Sequence, residues 1–155
     1  MRFVPAAADS SAAQRMLDEY FSSRELGFSG GRYLVVPPDA SRFVPPAGIF
    51  LLVQDDAGEA VGCGGVRRLE DAEEGPVFEV KHLWLRPETR GRGWGRALLA
   101  ELEREAVRLG AATLVLDTNA TLTAAGGLYR SSGFTDIPPY NDNPNATNWY
   151  RKALA

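Results

Sequence analysis

With 155 residues, a net charge of −3, 45% hydrophobic and 24% charged residues, the chain has the makeup of one globular domain with a real core. That charge balance argues against a general nucleic-acid surface. The single cysteine, Cys63, excludes an internal disulfide, and no apolar run reaches signal-peptide or membrane-span length, so the expectation is a cytoplasmic protein with no metal site and no membrane partner.

Residues 2–5, RFVP, read as a short strand that Pro5 stops. Asp9 or Ser10 can cap a helix running to about Leu26, with Met16, Leu17, Tyr20 and Phe21 as its apolar stripe. Residues 27–48 carry prolines and glycines throughout and read as a loop, with room for a short extended or helical piece at Arg32–Val36. Ile49–Gln54 and Ala60–Leu69 read as a hairpin around Asp55-Asp56-Ala57-Gly58. Gly62, Gly64 and Gly65 in the second strand suggest a bulge or a close backbone approach. Cys63 between them reads as a small buried hydrophobe. Residues 70–75, EDAEEG, read as a solvated acidic turn.

The most informative stretch follows. Val77–Leu85 has the composition of a strand, residues 90–95, RGRGWG, of a glycine-rich turn, and Leu98, Leu99, Leu102, Ala106 and Leu109 form the stripe of a helix starting near Arg96. A glycine turn at a helix start is an anion site. The first N–H groups lack helical partners, the helix dipole is positive there, and Gly91, Gly93 and Gly95 let a phosphate approach the backbone. Arg90, Arg92 and Arg96 add charge, so a diphosphate fits. The dinucleotide fingerprint fails because position 96 is Arg, and a Walker loop fails because the turn has no Lys. Downstream, Thr113–Leu116 reads as a buried strand with Asp117-Thr118-Asn119 at its exit. Thr121 or Thr123 can then cap a helix through Ser131, closed by Gly133 and holding Gly126 and Gly127. Phe134–Ile137 and Trp149–Leu154 read as the last two strands, joined by a loop rich in Asn, Asp and Pro.

Arg90-x-x-Gly93-x-Gly95 between a strand and a helix, with Leu83-Trp84-Leu85 and Pro87 before it and Leu128-Tyr129 and Gly133-Phe134 after it, resembles the GNAT superfamily of N-acetyltransferases. The resemblance covers about residues 48–152. It implies an α/β fold with a central mixed sheet flanked by helices, in the order β-α-β-β-β-α-β-α-β-β, and a single N-acetyltransferase domain over residues 1–155. It implies acetyl-CoA as co-substrate, transfer to a primary amine within a ternary complex, and leaves a homodimer open. A non-catalytic acyl-CoA sensor is the alternative.

The same resemblance assigns residues. Arg90, Gly91, Arg92, Gly93, Trp94, Gly95 and Arg96 would hold the diphosphate, and backbone groups of Leu83, Trp84 and Leu85 the pantetheine arm and thioester. Tyr129 would protonate the departing thiolate. Glu79 lies eleven residues before Arg90, the offset of the catalytic glutamate in histone-type members, and is the candidate base. The other reading of Glu79 is a pair with Lys81 or an arginine on the sheet. Many members carry an asparagine seven residues before the tyrosine; that position is Leu122, so Asn119 is carried over only as the nearest. Phe28, Tyr33, Arg42 and Phe43 are candidate acceptor contacts, or anchors of their loop. Strict alternation puts Glu79, Lys81, Leu83 and Leu85 on one strand face and Phe78, Val80, His82 and Trp84 on the other. His82, the one histidine, then reads as structural. Net charge slightly favours a cationic amine, while amino acids, amino-bearing antibiotics and protein amines stay open.

Overall fold

A computed structural model describes residues 1–28, 32–119 and 123–154. Its strands are β1 (Arg2–Pro5), β2 (Gly48–Gln54), β3 (Ala60–Arg68), β4 (Val77–Leu85), β5 (Thr113–Thr118), β6 (Thr135–Ile137) and β7 (Asn148–Ala153). Its α-helices are α1 (Ser11–Gly27), α2 (Trp94–Arg108) and α3 (Thr123–Ser131). The order of elements is the one expected. Two 3-10 turns were not: one at Ala40–Phe43, and one at Pro87–Thr89. Residues 32–39 form no regular element, so the short piece at Arg32–Val36 is absent.

One sheet in the order β1-β2-β3-β4-β5-β7-β6 organises the chain, and every neighbouring pair is antiparallel except β4–β5. Leu98, Leu99, Leu102 and Ala106 of α2 pack with Tyr129 of α3 against Leu51, Val53, Phe78, Val80 and Leu114 on one face. Each such leucine contributes about 2–3 kcal/mol of burial. On the other face Ala13, Met16 and Leu17 of α1 pack with Phe43 against Phe50, Leu52, Cys63 and Trp84. Ser10 starts α1, its Oγ accepting the Ala13 N–H at 3.3 Å. Gly133 ends α3 at φ +95°, with the Phe134 N–H returning to Tyr129 O. No helix among the described residues is long and apolar enough to cross a membrane.

Two irregularities shape the middle of the sheet. The β4–β5 ladder holds only Val77–Thr113, Phe78–Leu114 and Glu79–Val115, although β4 runs on to Leu85 and β5 to Thr118. The strands therefore part beyond Glu79. Across β3–β4, Cys63 pairs with Trp84 and Gly65 with Lys81, so His82 and Leu83 together oppose Gly64: a β-bulge. His82 takes the extra turn at φ +58°, a rare conformation for a residue with a Cβ. The glycines of β3 make this feasible. A Cβ on Gly62 would lie 2.5 Å from Trp84 O, and one on Gly64 2.9 Å from Leu102 Cδ1.

The bulge corrects the alternation expected for β4. Leu83 and Leu85 join Phe78 and Val80 on the α2 face, while Trp84 packs on the α1 face. His82 contacts the rings of Tyr20, Phe21 and Phe43 on the α1 side. One extra residue inverts the phase of everything after it.

Candidate active site

The helix start comes first. Gly93 is the cap residue of α2 at φ +76°, so the helix begins at Trp94, two residues before the position expected from its apolar stripe. Gly91 sits at φ +80°, and a Cβ on either glycine would meet nothing within 4 Å. These glycines are needed for their backbone conformation, and the space above them is open. No side chain caps α2, so the N–H groups of its first turn have no side-chain acceptor. Arg90, Arg92 and Arg96 are exposed around them and make no ion pair with a described residue. Arg90 stacks on Trp84 and Arg92 on Trp94, at 5.8 and 5.4 Å from the ring centres. Arg96 reaches Ser131 Oγ at 2.8 Å and Ser132 Oγ at 3.3 Å, tying the start of α2 to the end of α3. Such a cradle fits a diphosphate.

The parting of β4 and β5 opens a cleft of about 360 Å³. Leu83, Val80 and His82 line it from β4, Leu116, Asp117 and Thr118 from β5, and Tyr129 from α3, with Asn119 just past β5. Tyr129 is 6% exposed, with Phe134 and Tyr150 packed against its ring at 6.1 and 5.7 Å. Burial pushes its phenol pKa above the ordinary value, so the hydroxyl stays protonated at neutral pH. The Leu83 carbonyl accepts from Arg24 Nη2 at 3.4 Å, and the His82 carbonyl from Cys63 Sγ at 3.3 Å. Trp84, 7% exposed, is held by Nε1 to Glu19 at 3.3 Å, and Arg86 brackets the same carboxylate at 2.9–3.0 Å. Those bonds hold the Glu19 carboxyl below its usual range and fasten the end of β4 to α1.

Glu79, the candidate base, is not a free carboxylate. It is 1% exposed, with Oε1 bound by Arg67 Nε and Nη2 at 2.9 and 2.8 Å and Oε2 by Tyr140 OH at 2.6 Å. Lys81 Nζ stands 3.8 Å away and pairs more closely with Asp117, at 3.2 Å. Glu79 faces a second, larger groove lined by Arg42, Arg67, Tyr140 and Arg151, not the cleft that holds Tyr129. The sheet-arginine alternative for Glu79 is thus what the geometry gives. The reason is register: β3 places Arg67 opposite Glu79, a pairing invisible until the strands are aligned.

Of the four loop candidates only Tyr33 lines the cleft. Phe28 packs edge-on against Tyr33 at 5.5 Å. Phe43, 2% exposed, is core beneath α1, and Arg42 donates to the Arg68 carbonyl at 2.8 Å in the second groove. Asn119 lines the cleft and donates to the Asn145 carbonyl at 3.1 Å. Thr121 and Leu122 lie outside the described residues. The sequence reading missed Arg24, Tyr140 and Asn141. Asn141 donates to Asp117 Oδ2 at 2.7 Å and accepts from Trp149 Nε1 at 2.9 Å. Its signal was the polar loop at residues 140–147, dense in Asn and otherwise unexplained.

Comparison with known proteins identifies the family and the fold. The family model for the acetyltransferase (GNAT) family matches residues 13–134. An N-acetyltransferase of Schizosaccharomyces pombe is 40% identical over 104 residues, which cover 66% of this chain and 61% of that protein. The chain thus spans about three fifths of that relative's length. The crystal structure of an acyl-CoA N-acyltransferase from Klebsiella pneumoniae superposes with a TM-score of 0.79 at 28% identity, over 99% of this chain and 97% of that one. A GNAT family acetyltransferase from Elizabethkingia anophelis with acetyl-CoA bound shares the fold at a TM-score of 0.68 and 17% identity, over 99% and 97% of the two chains. A family model that matches most of the chain, together with these relatives, shows that the chain belongs to the GNAT family of acetyltransferases.

Proposed function

We propose that the protein is an N-acetyltransferase that moves an acetyl group from acetyl-CoA to a primary amine by direct attack in a ternary complex. The observation that carries this reading is the link between two features through α3: an uncapped helix start with three arginines that make no ion pair among the described residues, and a buried phenol lining the β4–β5 opening, two residues from the Ser131 that Arg96 holds. Acetyl-CoA, when bound, supplies an acyl group already activated as a thioester.

The chain's own groups do the rest. The N–H groups at the start of α2, with Arg90, Arg92 and Arg96, bind the diphosphate. The free edge of β4 after the bulge, at Leu83, Trp84 and Leu85, offers backbone groups to the pantetheine arm and thioester oxygen. Tyr129 keeps its proton at neutral pH and donates it where thiolate charge develops. The amine proton leaves through water in the polar cleft. Glu79, saturated by Arg67 and Tyr140, fixes the charge pattern behind the cleft and does not collect that proton itself. The Tyr129 phenol, shielded from solvent and aimed into the cleft, favours an enzyme over an acyl-CoA sensor.

Free-thiol release from acetyl-CoA across an amine panel tests the reaction. Calorimetry should also show CoA binding much tighter than pantetheine without the nucleotide, and Gly93→Val should abolish that difference. No amine-dependent thiol release, with intact CoA binding, overturns the enzyme reading in favour of the sensor.

A further inference from the structure

We propose that the acceptor amine carries a carboxylate, as an amino-carboxylic acid with an apolar side chain does, and that Arg24 is the residue that binds this carboxylate. The proposal rests on the N-acetyltransferase reading and names the acceptor class for the same cleft.

The argument is a charge census of the cleft. Four charged side chains line it: Arg24, Arg67, Lys81 and Asp117. Lys81 is neutralised by Asp117 at 3.2 Å, and Arg67 by Glu79 at 2.8 Å behind the wall. Arg24, in the last turn of α1, makes no ion pair with any described residue. Its guanidinium lies 4.6 Å from the centre of the Tyr20 ring, and one nitrogen donates to the Leu83 carbonyl at 3.4 Å. A guanidinium has five N–H donors in a rigid fork, so stacking and one long bond leave a planar pair for a carboxylate. A positive side chain held in a half-enclosed cleft with no anion beside it is an incomplete ion pair, and the cleft is open where a ligand would complete it.

Position agrees with chemistry. The Leu83 carbonyl that holds Arg24 belongs to the bulge, at the same parting of β4 and β5 that Tyr129 overlooks. A carboxylate on Arg24 therefore leaves the nearby amine of the same small molecule within the opening. Tyr20, Phe21, Leu34, Val36 and Pro37 supply an apolar wall for a side chain. His82 also lines the cleft. Desolvation first, and then the charges of Lys81, Arg67 and Arg24 against the opposing Asp117, depress its pKa to about 3. The excess of cationic side chains in the cleft lining disfavours the ammonium form of an incoming amine and leaves more of it as the nucleophilic free base. The net charge of −3 that favoured a cationic acceptor is a property of the whole chain, whereas the cleft lining carries three cationic side chains against one anionic.

The test compares L-phenylalanine, phenethylamine and L-phenylalaninamide, and the pair L-leucine and isopentylamine, as acceptors with acetyl-CoA, with kcat/KM expressed per neutral amine. The carboxylate-bearing members should lead by at least about tenfold. Arg24→Gln should shrink that lead to within about threefold, and Arg24→Lys should restore part of it. Equal or better use of the carboxylate-free amines by the parent protein, or an unchanged lead in Arg24→Gln, overturns the proposal. A second readout is independent of turnover: in the presence of CoA, N-acetyl-L-phenylalanine should bind at least about tenfold tighter than N-acetylphenethylamine in calorimetry, and Arg24→Gln should erase the gap. Absence of amine-dependent thiol release alongside this binding preference would fell the acetyltransferase reading and leave the carboxylate site standing. Equal binding of the two ligands would fell the carboxylate site alone.

Discussion

At the scale of single residues, Tyr129 and Glu79 make opposite predictions. Tyr129→Phe removes one oxygen from a ring held by Phe134 and Tyr150, so folding and CoA affinity should hold while kcat falls at least about tenfold. A parental kcat with chemistry shown to be rate-limiting would reduce Tyr129 to packing. Glu79→Gln instead leaves Arg67 with an unpaired charge that is only partly solvated. It should lower unfolding free energy by about 2–4 kcal/mol in urea titrations. A direct base would show the reverse: intact stability, with turnover lost mostly at low pH. His82 gives a pH prediction. Its folded pKa, about 3, lies below the ordinary 6.5, chiefly because burial disfavours the charged ring. Above about pH 6.5 both folded and unfolded chains hold it neutral. As pH falls from about 6.5 toward about 3, the unfolded chain takes up a proton that the folded chain resists, so stability declines with acidification. Between pH 7 and pH 5 the loss should be about 2 kcal/mol. His82→Asn tolerates the positive φ, and should remove that decline while the parent retains it.

At the scale of elements, the sequence was readable where the signal is local and opaque where it crosses strands. The capping serine of α1, the Val77–Leu85 strand, the glycine end of α3 and the leucine stripe of α2 each follow from neighbours in the chain, and each stands within two residues of its expected place. The bulge in β4 did not announce itself in β4, because His82 rather than a glycine adopts the positive φ. Its trace was on the partner strand, in Gly62, Gly64 and Gly65, and the inverted face of Leu83–Leu85 followed from it. The partners of Glu79 were hidden for the same reason: its offset from Arg90 is a local property, but Arg67 and Tyr140 reach it from other elements. Gly62→Ala tests the dependence of the bulge on β3. A Cβ there would meet the Trp84 carbonyl at 2.5 Å, backbone that cannot give way, so the loss should be about 2 kcal/mol or more, read as a lower urea midpoint. An unchanged midpoint would mean that the strands are not held at this spacing.

At the scale of the whole molecule, two irregular segments far apart in sequence form one wall of the cleft. Asn145 accepts from the Leu34 N–H at 3.0 Å and donates to the Leu34 carbonyl at 2.7 Å, as a neighbouring strand would. Asn141 and Asn143 in turn accept the N–H groups of Asn143 and Asn145 at 3.3 and 3.0 Å, and Asn141 reaches Asp117 of β5. The segment after α1 is thereby tied to the centre of the sheet through a ladder of side-chain amides. Asn145→Ala should speed amide exchange at Leu34 at least about tenfold, while exchange in β2 and β3 stays at the parental rate. Equal protection at Leu34 would show that packing alone holds the wall.

Cys63 lies fully enclosed beneath the bulge, its Sγ turned to the His82 carbonyl and its thiol pKa raised by burial. The native protein therefore carries no sulfhydryl that a colorimetric disulfide reagent can reach, and every thiol such a reagent counts during turnover comes from released CoA. Once the sheet opens, the same residue becomes a single-copy label. The rate at which that one thiol is captured then reports how often the centre of the sheet comes apart, read from a molecule that needs no engineered probe.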